Sequence, residues 1–166
     1  MKYIMITGAS SGIGEETARL LARHEDVTTI LVASKEEKLK KLVNEFGGET
    51  KYLVYDLTDV WHIESCFIKC REWGIKLDGL IHCAGIGENM PIRLIQTEHI
   101  KKMYQIHPMA FIELGKYFSK RYSTWSPMVV MSSMVARDGR NGGVCCSKAA
   151  VNAVVSDGAR WQTAEL

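Results

Sequence analysis

The segment Ile4-Met5-Ile6-Thr7-Gly8-Ala9-Ser10-Ser11-Gly12-Ile13-Gly14 limits the possible folds more than any other stretch of the chain. An apolar, strand-like run from Tyr3 to Ile6 enters it and a helical pattern from Ile13 to His24 leaves it, so three glycines stand where a buried strand turns into a helix. Glycine tolerates the dihedrals of a tight turn, lets backbone approach a pyrophosphate and permits close packing of helix on strand. The free N–H groups at the helix start attract anionic phosphate. Gly8, Gly12 and Gly14 are therefore candidates for a phosphate cradle, with Ile13 between the last two and Ser10 and Ser11 adding hydroxyl donors. An isolated glycine-rich turn would look the same; the β-α-β surroundings favour a dinucleotide.

Those surroundings repeat. A β-rich run from Val27 to Ala33 is followed by Glu36 to Phe46, which carries Leu39, Leu42, Val43 and Phe46 on one helical face. A strand is expected at Lys51 to Asp56, an amphipathic stretch at Trp61 to Trp73, a strand at Leu77 to Cys83, a long helix from about Glu98 to Tyr122, and a fifth strand at Met128 to Ser132. Gly47-Gly48, Asp78-Gly79 and the run from Asp138 to Gly143 mark turns between them. Alternation of this kind builds a parallel sheet with helices on its faces. Pro108 falls inside the long helical pattern, where it lacks the N–H that would bond the Tyr104 carbonyl, and a kink near His107 is expected.

With 166 residues, 46% hydrophobic and 24% charged, the chain reads as one globular domain, 1–166, able to bury a core. A formal charge of +2, with both signs interleaved, gives no nucleic-acid footprint and points to small-molecule partners. No apolar run approaches the roughly 20 residues of a membrane span, and Met1 to Gly8 leads straight into a strand, so a cytoplasmic location without membrane attachment is expected. Five cysteines without paired C-x-x-C spacing indicate neither a disulfide framework nor a metal site, and Cys66 and Cys70, at helical i,i+4 spacing, read as core.

Thr7, Gly8, Gly12 and Gly14 match the T-G-x-x-x-G-x-G loop of the short-chain dehydrogenase/reductase family, which the chain resembles in its classical form. Further matches follow in order over almost the whole length: Asp56-Leu57 after the third strand, His82-Cys83-Ala84-Gly85 where the family has Asn-Asn-Ala-Gly, Ser132-Ser133, and Ser147-Lys148-Ala149-Ala150 at the close of its Tyr-x-x-x-Lys segment. The resemblance implies a Rossmann-like, doubly wound, three-layer α/β/α fold, here ending after the fifth strand and the helix behind it. It also implies an NAD(P)-dependent oxidoreductase that moves hydride between nicotinamide and a carbonyl or secondary alcohol. Asp56 and Leu57 would then lie at the adenine, Ala84 and Gly85 along the dinucleotide, and Ser133 against the substrate oxygen. Lys148 would bind the nicotinamide-ribose hydroxyls and lower the pKa of a neighbouring tyrosine. Cofactor choice rests on the end of the second strand, where Ala33, Ser34 and Lys35 offer no acid for a ribose 2′-hydroxyl and one cation for a 2′-phosphate, which favours NADP(H) over NAD(H).

The pattern departs from the family at two places. Counting back from Lys148 puts Val144 where the tyrosine belongs, and an aliphatic side chain exchanges no proton. The family's helical Asn also lacks a match in Tyr104-Gln105-Ile106-His107-Pro108; His107 is expected to be structural rather than a replacement proton carrier. Either these are substitutions, or an Asn before His107 and a short stretch ending in Tyr before Cys145 are missing from the sequence. A catalytically impaired dinucleotide-binding or regulatory module of the same fold is the alternative function. The family's later strands and substrate loop would lie past Leu166, so substrate identity is not legible, and the apolar face from Ala149 to Val155 is expected to be covered by self-association or by further chain.

Overall fold

The computed structural model describes residues 1–87, 91–121, 126–139 and 142–161. β1 (Lys2–Thr7) lies at the centre of a five-stranded parallel sheet, paired on one side with β2 (Val27–Ala33) and on the other with β4 (Gly79–His82). β3 (Lys51–Val54) adds beyond β2 and β5 (Met128–Val130) beyond β4, giving the order β3-β2-β1-β4-β5. The chain builds outward from β1 first one way and then the other. This reversal opens a crevice at the carboxyl ends of β1 and β4.

The period of two in the strands assigns their side chains to two cores. Met5, Ile30, Val32 and Leu80 point to one face, where Cys66, Phe67 and Cys70 of α3 (Glu64–Glu72) and Ala110, Leu114 and Phe118 of α5 (Ala110–Arg121) cover them. Ile6, Leu31 and Ala33 point to the other, against Ala18 of α1 (Gly12–Leu21) and Leu39 and Leu42 of α2 (Glu36–Phe46). The three layers expected from the sequence are present, and Cys66 and Cys70 are fully enclosed core residues.

The long helical segment is not one kinked helix. α4 (Thr97–Tyr104) passes into a π-helical turn, Gln105–Met109, before α5 begins. The widened turn accommodates the absence of an N–H at Pro108, and both His107 and Pro108 are buried in it. Tyr122 lies outside the described residues. A four-residue helix, α6 (Val135–Asp138), which the sequence pattern does not mark, follows β5 ahead of the expected turn from Asp138 to Gly143, and Gly139 ends it in a left-handed conformation at φ 71°. α7 (Gly142–Trp161) closes the described chain. The amphipathic stretch begins later than expected: Trp61 sits in a 3-10 turn, Val60–His62, and is 80% exposed.

Candidate functional site

At the crevice each of the three glycines answers a different physical demand. Gly8 has φ 69°, and a Cβ there would lie 2.6 Å from the Ala84 backbone nitrogen, so the turn after β1 rests directly on the turn after β4. A Cβ on Gly14 would meet the Gly8 carbonyl oxygen at 2.4 Å, which fixes how closely α1 approaches the turn. Gly12 has φ 55° but open space around its Cβ position; its requirement is conformational. Ser11 precedes α1 in extended conformation and gives the helix no side-chain cap, so the first N–H groups of α1 face the crevice mouth without a side-chain acceptor. Ser10 is buried, whereas Ser11, Gly12 and Ile13 are exposed, Ile13 at 56%. A turn packed backbone to backbone, with no room for a side chain at Gly8 or Gly14, beside a helix start without a side-chain cap, fits a dinucleotide diphosphate.

Buried hydrogen bonds hold the turns. Ala9 N–H donates to the Val32 carbonyl at 3.3 Å, tying the loop to β2. Thr7, fully buried at the end of β1, accepts from the Ala84 N–H at 3.3 Å and pairs with His82 Nδ1 at 2.7 Å. The other ring nitrogen of His82 lies 3.0 Å from the Ile106 carbonyl. A carbonyl only accepts, so Nε2 carries the proton and Nδ1 accepts from the Thr7 hydroxyl. Burial pushes His82 down to about 4.

A second histidine bridges the next layer. His107 Nε2 accepts from the Ile86 N–H at 3.2 Å, which leaves Nδ1–H to donate to Ser147 Oγ at 2.9 Å; Ser147 in turn donates to the Val144 carbonyl at 3.1 Å. Burial, then the nearby Lys148 ammonium, push His107 down to about 3. Lys148 is itself 7% exposed, its Nζ donates to the Met131 carbonyl at 2.6 Å, and burial lowers its pKa. The histidine is thus a buried bridge between the loop after β4 and α7. Sequence patterns single out Lys148 but not Ser147 as its partner in this layer, because the contact to His107 spans 40 residues.

The remaining positions named from the sequence gather at the same sheet edge. Ser34 and Lys35 are exposed beyond β2, with Lys35 at the start of α2. Asp56 Oδ1 accepts from the Thr58 N–H at 3.0 Å and its hydroxyl at 2.9 Å, a local turn, while Leu57 is buried beneath it. Ala84 is buried and Gly85 exposed. Ser133, partly buried, accepts from the Val135 N–H at 3.4 Å, two residues beyond the carbonyl that holds Lys148. Val144 lies in the first turn of α7, its Cγ2 3.4 Å from where a Cβ on Gly87 would be. Next to it a cavity of about 340 Å³ is lined by Ile86, Gly87, His99 and Met103.

The sequence profile described as short chain dehydrogenase matches residues 2–162. The chain belongs to the short chain dehydrogenase family. A benzil reductase ((S)-benzoin forming) of Bacillus cereus is 29% identical over 92% of this chain and 65% of its own length. A benzil reductase ((S)-benzoin forming) of Saccharomyces cerevisiae is 31% identical over 94% of this chain and 64% of its own. Among solved structures, an alcohol dehydrogenase from Thermococcus sibiricus in complex with 5-hydroxy-NADP superposes with a TM-score of 0.83 at 27% identity, covering 95% of this chain and 69% of that one. This short chain dehydrogenase therefore spans just under two thirds of the two benzil reductases. Its sheet, glycine turn and Lys148 layer all lie within the matched region.

Proposed function

We propose that the chain is the dinucleotide-binding and catalytic-lysine part of an NAD(P)-dependent oxidoreductase that interconverts a carbonyl and a secondary alcohol. The observation that carries this is the close packing of Gly8 on the Ala84 backbone, which sets the glycine turn at the switch point of the sheet, beside the uncapped start of α1. In this reading Gly8, Ser10, Ser11, Gly12, Ile13 and Gly14 hold the diphosphate, Asp56 and Leu57 border the adenine, and Ala84 and Gly85 flank the path towards Lys148. Ser34 and Lys35 meet the adenosine ribose. The lysine and the lack of an acid there favour NADP(H) over NAD(H). The bound nicotinamide supplies or accepts the hydride. Lys148 orients its ribose, Ser133 orients the substrate oxygen, and the small molecule occupies the cavity by Ile86 and Met103. Self-association at the β5 edge, where Val129 is 50% exposed, belongs to the same reading.

A second reading, a dinucleotide-binding module with impaired turnover, is favoured by Val144, since loss of a general acid costs about 10² to 10⁴ in rate. Calorimetric titration with NADPH and NADH, followed by turnover assays on ketones and diketones including benzil, separates the two. Binding with turnover supports the first, binding without turnover the second, and no dinucleotide affinity defeats both. Val144→Tyr tests the missing proton donor directly: a gain of about 10² in kcat is expected if that position limits the reaction.

A further inference from the structure

The imidazole of His107 joins three parts of the site that share no covalent neighbour: the loop after β4 through Ile86, the π-helical turn that carries it, and α7 through Ser147. Both ring nitrogens are used, the side chain is 1% exposed, and its bonding partners leave one tautomer. Gly85, though exposed, borders the same place: a Cβ there would lie 3.0 Å from His107 Nε2 and 3.6 Å from Lys148 Nζ. The Lys148 head therefore lies between the Met131 carbonyl that it bonds and a loop that is hydrogen-bonded to the imidazole.

Resting on the dinucleotide reading, we propose that His107 is a positioning residue. As a neutral ring protonated on Nδ1, it spaces the loop of Gly85 to Gly87 from the Lys148 turn of α7, and so sets the nicotinamide-ribose end of the dinucleotide site. It touches no reacting atom. Its effect falls on one half of the ligand: the adenine half, held by the glycine turn and the end of β2, does not sense it.

The test uses the full chain with His107→Leu, which keeps bulk and removes both hydrogen bonds, and His107→Gln, whose amide oxygen reaches the place of Nε2 and can accept from Ile86. Each is titrated with NADPH and with 2′,5′-ADP, which carries the adenine half alone. The expected result is an affinity for NADPH about tenfold weaker in His107→Leu with 2′,5′-ADP unchanged, recovery of most of that loss in His107→Gln, and faster amide exchange at Ile86 in the leucine variant only. An unchanged ratio of the two affinities in His107→Leu, or an equal loss in both variants, overturns the proposal. Should the leucine variant fail to fold, ¹⁵N shifts of the ring in the unaltered protein decide: a proton on Nδ1 supports the role and a proton on Nε2 overturns it. If the unaltered chain binds neither ligand, the dinucleotide reading falls, and Ile86 exchange still decides whether His107 places the loop.

Discussion

Burying two imidazoles in their neutral form makes the stability of this domain depend on acidity in a defined window. His82 and His107 are each 1% exposed, and burial holds them at about 4 and about 3, against 6.5 for a free imidazole. As pH falls, the unfolded chain takes up these protons first. The contribution of each ring is complete above 6.5 and is lost as pH drops from there towards the folded value. Between pH 7 and pH 5 only the unfolded state titrates, so the loss does not depend on where below 5 the folded rings protonate. It amounts to about 2 kcal/mol for each histidine and about 4 kcal/mol for both. Domains of this kind are stable by roughly 5–15 kcal/mol, which makes the loss large enough to measure. Urea unfolding followed by circular dichroism at the two pH values, in the unaltered chain and in His82→Gln, His107→Gln and the double variant, isolates the histidine part from carboxylate titration. Each single variant is expected to remove about half of the histidine-dependent drop. An equal drop in the unaltered chain and the double variant would refute the assignment of these rings as buried and neutral.

The glycine turn gives a graded series. Gly8→Ala and Gly14→Ala place a Cβ within 2.6 Å and 2.4 Å of backbone atoms and should abolish dinucleotide binding measured by calorimetry. Gly12→Ala meets no neighbour and should cost only about 1 kcal/mol of stability from its left-handed conformation; equal effects at all three positions would contradict these separate roles. Burial pushes the thiols of Cys66 and Cys70 up to about 12, so iodoacetamide at pH 8 should alkylate exposed Cys146 in the native protein and spare both, as read by peptide mapping. Modification of the core pair at the rate of Cys146 would count against their burial.

What the sequence revealed and what it hid have physical reasons. The five strands were legible because each is a short apolar run bounded by turn residues, and α2 because its apolar positions recur on one face. α6 was not legible: four residues cannot display a helical period, and Gly139 marks its end without marking its beginning. Pro108 announced a disturbance, but a bent α-helix and a widened π turn both dispense with the missing N–H, so the residue alone does not tell which forms. The glycines of the cradle were readable from local spacing. The Thr7 to His82 bond spans 75 residues, and no local pattern in the chain pairs them; the parallel register that sets Thr7 opposite His82 does.

The absence of any side chain between Gly8 and the Ala84 backbone gives the crevice a hard floor. Two peptide planes in direct contact have no rotamer to change and no methyl group to yield, so a push on either turn is passed whole to the other. Room for bulk at residues 8 and 84 is one shared volume, and a ligand seated on this floor is held by two strands of the sheet acting as a single block.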